Sequence, residues 1–406
     1  MIFPNTTTTH IFDDIEGAVL EPTTRPLPVS VLNIENKTRS NPFPWRGQFS
    51  PQLIDAMISE YASDGYFLLD PFAGSGTVLY EAGRHGLEVF GSEVNPAAVK
   101  LAQTYKLINK TQQERLQILE NATELLNQAI PLPLWNMPTK EVFSEIVKRQ
   151  LVTATKDAEG YVRSLLETLV VLLDFYSEIL HPDFIFRKWQ ELRRLILEFP
   201  FSEKKINIEL CDARNLPLQN ESVDLVITSP PYINVFNYHQ QYRSSAQALG
   251  YNLLHVARSE IGSNRKHRGN RFLTVIQYCL DVHQVFLELS RVCNKAAHII
   301  FVVGRESNVK KTPFFNSEIV EHIGNRCAGF KLMMKQSRVF KNKFGILIYE
   351  DILHFAVANQ SPTDTPKCIA KRVLDEAKVR CPDESRCDLE VAFSEIENVK
   401  PSPLYL

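Results

Sequence analysis

Two short stretches carry residue types and spacings that can do chemistry. "TSPPY" (228–232) ends the apolar run "DLVIT". Proline donates no ladder hydrogen bond, so Pro230 and Pro231 stop the strand at once. Their fixed backbone makes a stiff hook that displays the Ser229 hydroxyl and the Tyr232 ring at a strand's carboxyl end, the edge where open α/β sheets bind ligands. "DPFAGSGT" (70–77) is a glycine turn between an apolar strand and a helix. Gly74 and Gly76 permit close backbone approach, and the helix start offers free N–H donors. A dinucleotide turn needs a third glycine at position 79, where this chain has Leu79, and no G-K-[ST] follows to make a phosphate loop. The turn therefore suits a nucleoside that is not a dinucleotide.

Two acids extend that reading. Glu93 ends the next strand, where a carboxylate can accept both hydroxyls of a ribose. Asp212, in "LCDARNLP", ends the one after and can accept from an adenine amino group. Turn, Glu93, Asp212 and hook thus occupy successive strand ends, an arrangement that describes an adenosyl pocket.

The elements that must position these residues are legible in the periodicity. "GYFLLD" and "GLEVFGSE" read as strands around a helix at 77–85, and a further helix starts near Pro96. "FSPQLIDAMISEYA" (49–62) reads as a helix capped by Ser50 with Pro51 at its first position. Between 111 and 204 the pattern turns helical, with breaks at "PLPLWNMP" and "HPDF". Strands return with "KINIEL", "SVDLVIT" and "AHIIFVVG" (297–304), then "FKLMMKQSRVF" and "EDILHFAVA", with helices near 274–292 and from Ser317. The expected fold class is α/β: a doubly wound Rossmann-like sheet with a C-terminal reversed hairpin and a helical insertion. The expected domains are an arm (1–40), a catalytic domain (41–110 and 205–358), the insertion (111–204) and a polar, peripheral tail (359–406) with one weak helix at 367–380.

These motifs resemble those of the S-adenosylmethionine-dependent DNA amino-methyltransferases, bacterial modification enzymes that methylate exocyclic amines. The resemblance rests on "DPFAGSGT", the acid at Glu93, "CDARNLP" and "TSPPY", and spans about 41–110 and 205–358. It implies a Rossmann-like methyltransferase fold with S-adenosylmethionine as cofactor. It implies cofactor contacts from Asp70, Phe72, Ala73, Gly74, Gly76, Thr77, Glu93 and Asp212. "RGQFSPQLIDAMI" resembles the segment that closes over the methionine end, which adds Phe49. Ser229, Pro230, Pro231 and Tyr232 become the catalytic hook. An exocyclic amine is a poor nucleophile because its lone pair is delocalised into the ring. The Ser229 hydroxyl and the Pro230 carbonyl can accept its two hydrogens and aim the lone pair at a methyl donor, while Tyr232 stacks on a base turned out of the duplex.

A serine before "PPY" is typical of the cytosine-N4 members of that family, aspartate or asparagine of the adenine-N6 members. The resemblance accordingly implies N4 methylation of cytosine in double-stranded DNA, as the modification half of a restriction–modification system with a restriction endonuclease acting on the same site. Adenine-N6 methylation, guanine-N2 methylation of RNA and a non-catalytic DNA-binding role are the rivals. Methylation at cytosine C5 needs a cysteine after a proline, and the chain has no Pro-Cys dipeptide. The cofactor half precedes the hook, whereas many serine-type enzymes run in the opposite order, and the insertion is a further departure.

Two segments compete to read DNA. One runs from Tyr238, Tyr242 and Arg243 into "RSEIGSNRKHRGNR" (258–271), where Arg265, Lys266, Arg268 and Arg271 can hold phosphates. The other is the insertion, through "FRKWQELRR". The chain as a whole has 406 residues, a net charge of −2 and 44% hydrophobic residues, so any nucleic-acid site must be a local patch on an ordinary globular protein. Its longest apolar runs are strand-sized, and "MIFPNTTTTHIFDD" lacks the pattern of a secretory signal. Seven scattered cysteines without a C-x-x-C pair suggest reduced thiols, a cytoplasmic setting and no metal, and the resemblance implies a bacterium or archaeon as the source.

Overall fold

The computed structural model describes residues 25–130, 139–176, 179–233, 237–263, 267–341, 345–358 and 360–405. "PLPLWNMP", residues 1–24 of the arm, and Arg265 and Lys266 of the basic run lie outside these. Nine strands are present among the described residues: β1 (Phe67–Asp70), β2 (Glu88–Glu93), β3 (Ile206–Leu210), β4 (Val223–Thr228), β5 (Cys293–Gly304), β6 (Glu306–Val309), β7 (Thr312–Phe315), β8 (Phe330–Lys341) and β9 (Leu347–Val357). Seven of them form one sheet in the order β3-β2-β1-β4-β5-β9-β8. Strands β1 to β5 are parallel, while β9 runs antiparallel between β5 and β8. This is the Rossmann-like methyltransferase sheet with its reversed hairpin.

Alternating side chains send the sheet's apolar residues to two cores. Leu68, Leu225, Ile227, Ile300 and Val302 face one core, and Leu69, Val226, Ile299, Phe301 and Val303 face the other. Burying each such side chain contributes roughly 1.5–3 kcal/mol. The helices Gln112–Ala129, Lys140–Asp157, Gly160–Leu172 and Pro182–Leu197 form the insertion. Their apolar stripes, including Leu119, Leu169 and Trp189, join the first core and do not form one of their own. Buried Arg115 fixes the return of the chain by donating to the carbonyls of Leu107, Ile108, Phe199 and Pro200.

Three findings depart from the sequence reading. First, β6 and β7 form a small hairpin after β5. Its turn places Lys310 and Lys311 at φ 49 and 63, where asparagine or glycine would have signalled it. Second, the arm does not stand apart. Gln336 of β8 exchanges hydrogen bonds with the Leu27 backbone, and Asn33 accepts from Val339, so residues 27–33 cover the edge of β8. Third, the tail is not peripheral. Helices Pro366–Ala377 and Asp383–Ser394 bury Ile369, Leu374, Leu389 and Ala392 in the second core. The polar outer faces of these helices hid that stripe. Among the described residues, no helix is long and apolar enough to cross a membrane.

Candidate active site

The strand order reverses between β1 and β4, and the candidate site lies at their carboxyl ends. The glycine turn is stitched to its neighbours. Asp70, fully buried, accepts from the Phe72 backbone at 3.1 Å and from the Thr228 hydroxyl at 2.7 Å, binding the turn to the base of the hook. Burial pushes the Asp70 carboxyl up to about 7, and Glu93 nearby adds to the rise. Ser92 donates to the Pro71 carbonyl, and the Ala73 N–H returns to the Ser92 carbonyl. Gly74 (φ 51) lines the pocket together with Phe72, Ala73 and Thr77. Gly76 has a different task from the one anticipated. A Cβ there would sit 2.9 Å from Ala102 and from the Tyr105 ring, so this glycine lets the turn pack on the end of the helix Pro96–Gln103 and on the 3-10 turn after it. Asp70 likewise braces the pocket from behind.

Glu93 receives the Gly74 N–H on one carboxylate oxygen at 3.0 Å and the Asn95 N–H on the other at 2.8 Å. Each oxygen keeps a lone pair for one of two vicinal hydroxyls. Burial pushes this carboxyl up to about 7, against the pull of those N–H bonds, and the Glu260 carboxylate adds to the rise. A carboxyl that titrates near 7 accepts hydroxyls best above that pH. S-adenosylmethionine affinity is therefore expected to fall by up to about tenfold per pH unit as the pH drops below 7. Glu93→Gln should bind more weakly and flatten the profile, which calorimetric titration across pH 5.5–8.5 will show.

Asp212 reaches the pocket, but not with free acceptors. Arg214 donates to one of its oxygens from the backbone and from Nε, and the other oxygen accepts from Arg214 Nη2 and from the Tyr405 N–H. The acceptor assigned to adenine is already committed inside the protein. Arg214 is itself buried and donates further to Asp281 and to the carbonyls of Ser402 and Pro403. The pocket wall is thus clamped to the last residues of the chain.

Phe49 lies in the wall, in a segment that also brings Trp45 and Gln48. The Ser75 hydroxyl donates to Gln48, and Trp45 stacks on Tyr242 at 6.3 Å between ring centroids. Glu260, the single acid of the basic run, also lines the pocket and holds the backbone and Nδ1 of buried His239. An acid isolated among five cations was the available signal for it. The apolar walls Phe72, Val94 and Ile261 and the remaining lone pairs of Glu93 fit an adenosyl group with its ribose.

The hook ends β4. Ser229 and Pro231 line the pocket, and Pro230 is buried behind them. Ser229 Oγ lies 3.1 Å from the Tyr232 hydroxyl, which donates to Glu350 at 3.4 Å. Glu350 is held on its other oxygen by Arg338 Nε at 2.8 Å. A carboxylate only accepts, so Tyr232 points its hydrogen at Glu350 and receives that of Ser229. Ser229, which lines the pocket, then keeps both lone pairs for an incoming donor. Burial raises the Tyr232 phenol well above its ordinary value, Glu350 reinforces this, and the hydroxyl stays neutral. The Tyr232 ring lies against Gly304, where a Cβ would come within 2.6 Å. One ring face is therefore occupied by β5. Asn316 fixes the exit by accepting from Ile233 and donating to the Gly304 carbonyl. Nothing in the sequence marked Glu350, Arg338 or Asn316.

The DNA-contact candidates separate. Tyr238 lines the cofactor pocket, and Asn95 holds its carbonyl. Tyr242 is engaged by Trp45, and Arg243 is half-buried beside Gln247. Arg268 and Arg271 are exposed, and Asn270 between them donates to the Asp388 carbonyl, which ties the basic run to the last helix. No described cation of that run lines the cofactor pocket.

A family model described as DNA methylase, of the N6/N4 methyltransferase type, matches residues 8–104, which hold the glycine turn and Glu93. The type II methyltransferase M.AvaI of Nostoc sp. is 23% identical over 280 residues, 55% of this chain and 56% of that protein. The type II methyltransferase M.MjaII of Methanocaldococcus jannaschii is 28% identical over 103 residues, 25% of this chain and 18% of that protein. The chain thus spans about half of the first relative and under a fifth of the second. A solved S-adenosylmethionine-dependent methyltransferase of Methanosarcina mazei aligns with 75% of this chain and 98% of its own, at 11% identity and a TM-score of 0.35. The fold is established by the strand order above. The chain has a Rossmann-like methyltransferase fold with a pocket whose lining fits an adenosyl group, and it is similar to the N6/N4-type DNA methylases.

Proposed function

We propose that this chain methylates the exocyclic N4 amine of cytosine in double-stranded DNA, as the modification half of a restriction–modification system. The observation that carries this reading is the hook: Ser229 stands at the switch-point pocket with its hydroxyl turned by Tyr232 and Glu350 so that its lone pairs are free. S-adenosylmethionine supplies a methyl group on a positively charged sulfur, which leaves as a neutral thioether.

The residues of the hook prepare the nitrogen. Ser229 Oγ and the Pro230 carbonyl accept its two hydrogens, which draws the nitrogen towards a pyramidal shape and localises its lone pair. Holding that geometry supplies orientation and electrostatic stabilisation together, and needs no nucleophile from the protein. The nitrogen gains the methyl as the C–S bond breaks and loses one hydrogen as a proton to solvent water, since the cationic methylated amine is a strong acid. Glu93 anchors the ribose and, with the turn, sets the depth of the methyl donor. The two prolines keep the acceptors rigid, and Asn316 and Gly304 fix the hook behind them. Similarity to the type II methyltransferases M.AvaI and M.MjaII supports a modification role, and neutral Ser229 supports the choice of cytosine over adenine.

The test uses purified protein, methyl-labelled S-adenosylmethionine, unmodified genomic DNA and total RNA. Label should enter DNA and stay out of RNA. Label in RNA alone, or in neither, contradicts the reading.

A further inference from the structure

A second concavity opens on the far side of the hook. It is a groove of about 1420 Å³ between residues 33–51 and the β8–β9 hairpin, and it shares Ser229, Tyr238 and Phe49 with the cofactor pocket. Tyr232 lines its floor. Small-molecule sites occupy roughly 300–1,000 Å³, so this volume suits a polymer better than a metabolite. Its rim is cationic and aromatic. Lys37 stands on one bank, and Lys341 and Arg338 on the other, with Phe340 and Tyr349 beside them. Arg338 lies 4.5 Å over the Phe340 ring, and Arg305 lies 5.5 Å over Tyr349. The carboxylates of Glu306 and Glu350 also line the groove, but Glu350 is engaged by Arg338 and Tyr232. Both lysines are exposed, and the nearby Ile346, Leu347 and Tyr349 are exposed apolar groups on the same hairpin.

We infer that this groove is where the DNA strand bearing the target nucleotide lies, with Lys37 and Lys341 on its phosphates and the base entering over Tyr232. The inference rests on the reading that the chain methylates a DNA base. It places substrate binding on the N-terminal segment and the reversed hairpin, away from the basic run at 258–271. Three observations point the same way. Ser229 lines both the groove and the cofactor pocket, so a base standing in the groove adjoins the amine hook. Its cations flank its mouth on both banks, as two phosphates around one extruded nucleotide require. No described cation of the basic run lines it, because that run turns towards the last helix through Asn270.

The test is binding of a fluorescein-labelled mixed-sequence duplex, read by anisotropy across a salt series with S-adenosylhomocysteine present. Lys37→Glu with Lys341→Glu should weaken binding at least about tenfold at low salt and reduce the salt slope by about two, one for each phosphate that is no longer neutralised. Arg268→Glu with Arg271→Glu should leave both near wild type. Cofactor affinity should be unchanged in both double variants, which shows that they fold. If wild type binds DNA and the lysine reversal changes neither affinity nor slope, the groove assignment is wrong and the methylation reading stands. If wild type does not bind DNA at all, both are wrong.

Discussion

Ser229→Ala will lower methyl transfer by about 10²–10³-fold, the usual loss when one preorganised hydrogen-bond group is removed from a reacting centre. The dissociation constant for S-adenosylmethionine will stay near wild type, because the ribose anchor at Glu93 and the turn are untouched. The alanine removes one of two acceptors on the amine and leaves the other, the Pro230 carbonyl, in place. The Tyr232 hydroxyl also loses the group it orients. Single-turnover kinetics with equilibrium dialysis for the cofactor separate these effects. A rate within tenfold of wild type would mean that the amine is held elsewhere.

Arg214→Met will cost about 3–5 kcal/mol of stability, because it removes the buried guanidinium that is ion-paired with both Asp212 and Asp281. Arg214, Asp212 and Asp281 are all within 3% of full burial, and the guanidinium reaches both acids at 2.7 and 3.0 Å. Ser402 adds two bonds to Asp281, from its backbone and from its hydroxyl. The wall of the pocket and the end of the chain are therefore one cooperative unit. Urea unfolding measures the loss. Deleting residues 401–406 keeps the ion triad and removes the strap, so it should destabilise less while still weakening cofactor binding. A loss below about 1 kcal/mol for Arg214→Met would show that the acids tolerate isolation, against the cost expected for buried unpaired charge.

Much of this site was legible because strand ends announce themselves. "FLLD" before a glycine turn, "EVFGSE" ending in an acid, and "DLVIT" stopped by two prolines each put a chemical group at a strand's carboxyl edge, and the parallel order brings the edges together. What stayed hidden depends on partners distant in the chain. Asp212 looked free because the sequence does not show that Arg214, two residues on, folds back onto its carboxylate, or that Tyr405, 193 residues away, donates to it as well. Glu350 looked like one more polar residue of a hairpin until the register of β9 on β5 placed it opposite Gly304, within reach of Tyr232. Gly76 was credited to the ligand because sequence cannot show that Tyr105 fills the space beside it. The basic run attracted attention by its charge, yet its single acid, Glu260, reaches the pocket with Ser259 and Ile261, and none of its described cations does.

The central claim is that a serine hook directs methylation to N4 of cytosine, and the most direct test is the modified base itself. The protein is expressed in a host that lacks DNA modification, the DNA is digested to nucleosides, and these are weighed by mass spectrometry. N4-methylcytosine should appear with the wild-type chain and vanish with Ser229→Ala. N6-methyladenine in its place would contradict the assignment of the hook to cytosine.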